Sequence, residues 1–550
     1  MTIALLLLVL IGGVVALPFV LLARRRTAAQ GTSAAEVVTY LILAVATLVT
    51  INSISSLLEI VMPGDGVLIG GADDLALSLS TLIVAGVVAV ALWTAMERTA
   101  TDQARPVREL YLALVIAVSM TVTAVGAIGI LLWVVRADDF EPSALANLLA
   151  FGAAWFIHER FRRPPEELDE LRQVAGALLG LGLSTSGAFL ILESSLDLII
   201  NSGQVIAGGI NLWEQIRVGV VLLVVGTPFI WWFWLRGLAS RPGAWRTGYG
   251  TLVAIVAWIS AFTALAVIAN LVAQWVTGIG EETPSLQFAD VPASLAVATV
   301  GAIAYWHHRA LLGQERNTAV RIVEYVFSAV GLVAGAGSVV TLASILGMNL
   351  FGDGTVVDND SRVALGALVV LILSALVVGR YWLPALRMSG DPTETLSAPR
   401  RATLLILRVG FFLVGAGALV AVLYFLLRAA LEGDASELGD DLAVAVPLVV
   451  VSGLMVWHVG EQRTKATPGS PGPVAAVSQP ARLGTVTVVA TDPGPLPSMI
   501  QGMRFLKRSD GIGTVDQERA EAIVSDLNSV LTSAAIVTVD ADGYEIVPIV

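Results

Sequence analysis

All four histidines of the chain, His158, His307, His308 and His458, stand beside tryptophan at the end of a long apolar run. Imidazole is a common ligand for haem and transition metals, so a facing pair is the first place to look for redox or metal chemistry. No cysteine or carboxylate cluster accompanies them, and the same position recurs in different repeats. Interfacial anchoring, or contact with lipid phosphate, is the simpler chemistry. Acids form a second group: Glu193 and Asp197 are four residues apart on one helix face, and Glu59 closes another apolar run. Placed at the outer boundary of their spans, these three are weak candidates for an outer-face cation site. No phosphate loop, zinc motif, nucleophile elbow or pair of catalytic acids is present. The expectation is therefore no catalytic residue, no cofactor, no metal and no enzymatic activity.

The histidines belong to a wider pattern that the elements around them must explain. Six times, a second apolar pass closes with tryptophan near arginine or histidine: Trp93 with Arg98; Trp155 with His158 and Arg160; Trp231 with Arg236; Trp306 with His307, His308 and Arg309; Trp382 with Arg387; Trp457 with His458. Five helical residues rise about 7.5 Å. A tryptophan five positions before an arginine therefore sits at carbonyl depth while the guanidinium reaches the phosphates. All these residues are read as interfacial or lipid-headgroup positions, with anionic lipid headgroups as candidate partners of arginine clusters such as Arg160, Arg162 and Arg163.

Composition fixes the class. Hydrophobic residues make up 56% of 550 positions and charged residues 14%, with a mean hydropathy of +0.81, far from the soluble balance. A polytopic all-α membrane protein is expected. The net charge of −12 averages over two faces and identifies no partner. Arginines spread singly along the chain exclude a nucleic-acid footprint. Cysteine is absent, which removes disulfides and thiolate chemistry.

A helix needs roughly 20 apolar residues to cross the hydrocarbon. About thirteen such stretches occur, near 3–22, 36–61, 74–96, 107–135, 143–158, 171–200, 214–236, 247–276, 291–307, 319–348, 362–383, 401–430 and 441–458. Arg24, Arg25 and Arg26 follow the first stretch, so it reads as an uncleaved anchor with its N-terminus outside. Later arginine-rich turns then fall in the cytoplasm, and acidic turns outside. Glycines spaced small-xxx-small, Gly176 with Gly180 and Gly331 with Gly335, imply close helix packing. Pro228 and Pro447 imply bends.

After the anchor (1–30), the region 31–460 divides into six hairpins beginning near 36, 106, 170, 245, 318 and 400, a period of roughly 64 to 82 residues that signals tandem duplication. Several open with arginine and tyrosine: Arg108 with Tyr111, Arg246 with Tyr249, Arg321 with Tyr325. With the tryptophan closures, these residues make the chain resemble an uncharacterised bacterial family of tandem two-helix membrane hairpins, a domain of unknown function. The fifth unit departs by closing with Trp382-Leu383-Pro384. The resemblance spans roughly 36–460 and implies architecture and location in a bacterial cytoplasmic membrane, with no catalytic residue.

A Pro/Gly-rich linker (461–483) leads to a small α+β domain (484–550) on the cytoplasmic side. Thr485 to Ala490 alternates like a strand. Thr514 with Gln517 resembles a capping box for a helix to about Leu531, with Ala520, Ile523, Leu527 and Val530 on one face. Strands Ala535–Val539 and Tyr544–Ile549 flank the turn Asp540-Ala541-Asp542-Gly543. The functional expectation is a non-catalytic scaffold, assembly factor or sensor, with the bilayer and a protein bound by the C-terminal domain as partners. The alternative is a transporter or channel for an uncharged or lipid-like solute.

Overall fold

A computed structural model describes residues 34–62, 72–99, 105–161, 166–200, 212–240, 243–281, 283–313, 315–351, 358–395, 397–432, 438–465, 485–496, 503–507, 514–529, 534–540 and 543–549. The anchor expected at 3–22, Arg162, Arg163 and most of the linker lie outside these residues. Two compact units divide the chain, Met1–Ala466 and Thr467–Val550.

The first unit is helical because its segments are long and apolar, with proline inside only at a few positions such as Pro228 and Pro447, and a helix satisfies its backbone polar groups without water. Its long helices are α1 (Ala34–Val61), α2 (Ala72–Thr99), α3 (Arg105–Val134), α4 (Pro142–Phe161), α5 (Glu166–Ile200) and α6 (Leu212–Phe229, continued by the π-helical turn Ile230–Leu235). They continue with α7 (Ala244–Thr277), α8 (Val291–Leu311), α9 (Thr318–Phe351), α10 (Asp358–Val377, continued through the π-helical turn Val378–Trp382 to Arg387), α11 (Ala398–Glu432) and α12 (Leu438–Lys465). Eleven helices among the described residues are long and apolar enough to cross a membrane. The remaining long helix, α4, has 20 residues and pairs with α3. The chain is a multi-pass membrane protein.

Consecutive helices pair as hairpins: α1 with α2, α3 with α4, and so on to α11 with α12. Hairpins then associate two by two. α1 packs on α2, α3 and α4; α5 on α6, α7 and α8; α9 on α10, α11 and α12. Each four-helix unit thus has its first helix at the centre. Neighbouring units join through α3 against α5 and α6, and through α7 against α9 and α10.

Small residues allow the close crossings. A Cβ on Gly176 would lie 2.3 Å from the Phe233 ring, and one on Gly180 2.6 Å from the Ile230 amide. One on Gly331 would meet Val377 at 2.9 Å. The spacing read as a packing signal is therefore used for α5 against α6 and α9 against α10. Pro228 lies two residues before one π-helical turn and Pro384 two residues after the other. In these turns the ladder relaxes to i→i−5, as in Arg236 N–H to Trp231 O at 3.0 Å.

Among its described residues the second unit has four strands and one long helix: β1 (Thr485–Ala490), β2 (Arg504–Lys507), α13 (Gln517–Ser529), β3 (Ala534–Val539) and β4 (Tyr544–Ile549). The sheet order is β2-β1-β3-β4. β1 runs parallel to both β2 and β3, while β4 is antiparallel to β3. Val486, Val488, Ala535, Val537 and Val539 pack against Ala520, Ile523 and Leu527 of α13. The helix cap differs from the expected box. Asp516 accepts the Arg519 amide at 2.8 Å, while Thr514 is drawn into a bridge with Asp492. A residue paired as extended chain cannot also cap the helix beginning three residues later. β2 had no counterpart in the sequence reading.

Candidate functional site

Buried polar and aromatic side chains gather at the arginine-rich ends of the helices, one cluster per four-helix unit. In the first, Thr47 of α1, Tyr111 of α3 and His158 of α4 form a chain. His158 Nδ1 lies 2.8 Å from Ala154 O. A carbonyl only accepts, so Nδ1 carries the proton and Nε2 is the acceptor. Tyr111 OH donates to that Nε2 at 3.2 Å, and the Thr47 hydroxyl lies 3.2 Å from Tyr111 OH. Trp93 of α2 and Tyr40 of α1 flank Tyr111 with ring centroids 5.8 and 6.2 Å away. Arg108 stands 5.6 Å from the Trp93 ring centre and pairs with Glu97 at 2.8 Å.

The second cluster uses the same places differently. Trp234 comes from the π-helical turn after α6 and donates its Nε1 hydrogen to His307 Nε2 at 3.2 Å. Its ring lies 4.6 Å from Tyr249 of α7 and 5.2 Å from His308 of α8. His308 is 3% exposed and donates from Nδ1 to Ala304 O at 2.8 Å. Arg172 of α5 lies 3.0 Å from Glu159 of α4, joining the second unit to the first.

The third cluster is ionic. Trp382 Nε1 reaches His458 Nε2 at 3.4 Å. Beside it Glu394, from the connection between α10 and α11, is 1% exposed. Its carboxylate receives Arg316 in a bidentate pair at 2.7 and 3.1 Å, Arg321 at 3.3 Å and the Tyr325 hydroxyl. Arg316 also holds Glu324 at 2.7 Å. Burial pulls the Arg316 pKa down, but the bond to Glu324 and the charges of Glu324 and Glu394 outweigh it, leaving a net rise. Glu394 is the polar residue that the sequence reading missed.

The six tryptophan closures are therefore not equivalent. Trp231, Trp306 and Trp457 are exposed, as lipid-facing rings are, and the exposed Arg236 lies 3.9 Å above the Trp231 ring centre. Arg98, Arg160, His307 and Arg387 are exposed as well, and Arg309 turns back to Gly313 O at 2.8 Å. Trp382 and His308, however, are buried at 3%, covered by neighbouring helices and not by headgroups. Trp93 and Trp155 are half-buried, and Trp155 stacks on Phe229 at 5.8 Å. The π-helical turns carry Trp382 and Trp234 among their buried residues.

For metal or haem, the imidazole lone pair decides. In His158, His307 and His458 the Nε2 that would bind a metal accepts a tyrosine or tryptophan hydrogen. No group of three or more metal-ligating side chains exists among the described residues. At the opposite ends, Glu59, Glu193 and Asp197 are half-buried, and Ser194, next to Glu193, donates to Gln215 at 2.9 Å. The structure does not bring these three acids together with further ligands among the described residues.

Two stretches of the chain, 36–158 and 321–454, match the family model of a domain of unknown function, DUF5671. No curated protein and no solved structure shows detectable similarity. Each match covers one four-helix unit, α1 to α4 and α9 to α12, and the helices between them, α5 to α8, pair in the same way. The chain is thus a multi-pass membrane protein, two stretches of which match the uncharacterised domain DUF5671.

Proposed function

We propose that this chain is a non-catalytic membrane scaffold: six parallel hairpin repeats behind an N-terminal anchor that present the C-terminal α+β unit as a recruiting module. One observation carries this reading. Five pairs of polar side chains at the arginine-rich ends bond each other across hairpin boundaries: Tyr111 with Thr47, Arg172 with Glu159, Trp234 with His307, Trp382 with His458, and Arg316 with Glu394. Groups that act on a substrate need free donors or acceptors, whereas groups that fix an array need satisfied ones.

Arginine distribution supports a cytoplasmic site for these ends and for the module, in a bacterial cytoplasmic membrane with the N-terminus outside. The bilayer is the first partner. Exposed Trp231, Trp306 and Trp457 with Arg236 suit anionic headgroups. Native co-purification tests the scaffold. The full chain is expected to retain partner proteins that a chain ending at Lys465 loses; identical partner sets would refute the recruiting module.

A second reading has its own observation. An open groove of about 400 Å³ runs between α1 and α2, lined by Ala46, Val49, Ser80, Thr81, Val84, Ala85 and Val88. Such a surface suits an acyl chain and supports passage or binding of a lipid-like solute. Flux or scrambling of labelled lipid in liposomes holding the purified chain would favour it over the scaffold.

A further inference from the structure

Residues 484–550 contain nine acids and four cations, and three of those cations, Arg504, Lys507 and Arg508, fall within five positions. Arg504 and Lys507 are the ends of β2, an edge strand whose four residues are all exposed. Between them lie Phe505 and Leu506, 38% and 58% exposed. Among the described strands of an acidic unit, the positive and apolar one thus stands at a sheet edge.

The two edges of the sheet differ. β4 contains Pro548, which pairs in register with Ala535. A proline has no N–H, so it fits an edge strand with its nitrogen turned to the free side, and it leaves that edge a donor short. β2 has no proline and pairs with β1 on one side, so its other rank of N–H and C=O groups can receive a strand. Self-pairing is disfavoured: two antiparallel copies of β2 would set Arg504 against Lys507, and like charges directly opposite repel. Arg504 and Lys507 are three positions apart and so point to opposite faces, each beside one apolar side chain.

We propose that β2 receives an extended acidic segment of a partner protein by strand addition. Backbone bonds supply affinity, and carboxylates on both faces of the incoming strand meet Arg504 and Lys507. An anionic bilayer would also attract the cations, but it offers no rank of N–H and C=O groups in register with the edge. This names the partner class of the recruiting module and rests on that reading.

The test uses the full chain in nanodiscs of neutral lipid and three labelled hexapeptides: Glu-Val-Val repeated twice, whose acids three positions apart fall on opposite faces, Lys-Val-Val repeated twice, and the Glu-Val-Val peptide with alternate backbone amides N-methylated. Saturable anisotropy is expected with the first peptide alone. The pair Arg504→Glu and Lys507→Glu, both exposed and tolerant of change, should weaken it by about ten-fold and gain the lysine peptide. Equal binding of the N-methylated peptide, no binding of any peptide, or β2-dependent binding confined to phosphatidylglycerol vesicles would each overturn the proposal. If peptides fail while removal of 466–550 still strips partners, strand addition is wrong and recruitment stands.

Discussion

The two stretches that match DUF5671 place tyrosine at corresponding positions of their first helices, Tyr40 and Tyr325, four residues into each match, yet they close the buried part of their arginine-rich ends with different chemistry. In the first copy the buried link is neutral, from Thr47 through Tyr111 to His158, and its ion pair, Arg108 with Glu97, lies at the exposed rim. In the second, Leu404 of α11 occupies the core beside Trp382 and Tyr325, and Glu394 with Arg316 and Arg321 supplies an ionic link. The connection explains how. Between α2 and α3 only residues 100–104 intervene, whereas 388–397 separate Arg387 from α11 and bring Glu394 inside. The same helix packing therefore tolerates either a hydrogen-bonded or a charged closure.

Glu394→Ala should break the ionic copy most severely. It removes the buried carboxylate that Arg316 and Arg321 share, leaving Arg316 with Glu324, at a cost of about 3–5 kcal/mol, read as a lower unfolding midpoint in detergent. Tyr111→Phe, the corresponding insult to the neutral copy, removes two hydrogen bonds and should cost only about 1–2 kcal/mol by the same measurement. Tryptophan gives a second contrast. Trp382→Ala opens a cavity and should cost about 3–5 kcal/mol, whereas Trp306→Ala, 77% exposed, should stay within about 0.5 kcal/mol. Equal losses at these two positions would mean that burial does not separate them.

The smallest effect lies in the C-terminal unit, where a hydroxyl–carboxylate contact is exposed. The bond from Tyr544 OH to Asp526, 2.7 Å long, raises the Tyr544 pKa above its ordinary value of 10.0. A raised phenol pKa means that the folded form holds the proton more tightly. Its stabilising contribution is full below the unfolded pKa and is lost as pH rises through the folded one. Tyrosine-ring NMR of the full chain, assigned with Tyr544→Phe, should show Tyr544 titrating above the ordinary value. Asp526→Asn should bring it back.

Much of this was legible in the sequence. The twelve long helices coincide with apolar runs because a run of that length needs no tertiary information to be helical in lipid. β1, β3, β4 and α13 followed from period-2 and period-3.6 patterns. β2 did not: Arg504-Phe505-Leu506-Lys507 shows no alternation. The tryptophan closures were visible as positions, but their burial depends on neighbouring helices, and a π-helical turn has no simple sequence sign. Glu394 looked like any acid in a polar connection. That it meets Arg316, 78 residues earlier, is a fact of helix packing alone.

The claim that polar groups at these ends act on each other is tested most directly by a double-mutant cycle on Arg316→Gln and Glu394→Gln, with unfolding in detergent as the readout. The two losses should be strongly non-additive, with a coupling of about 1–3 kcal/mol. Additive losses, with no coupling beyond about 0.3–0.5 kcal/mol, would contradict it.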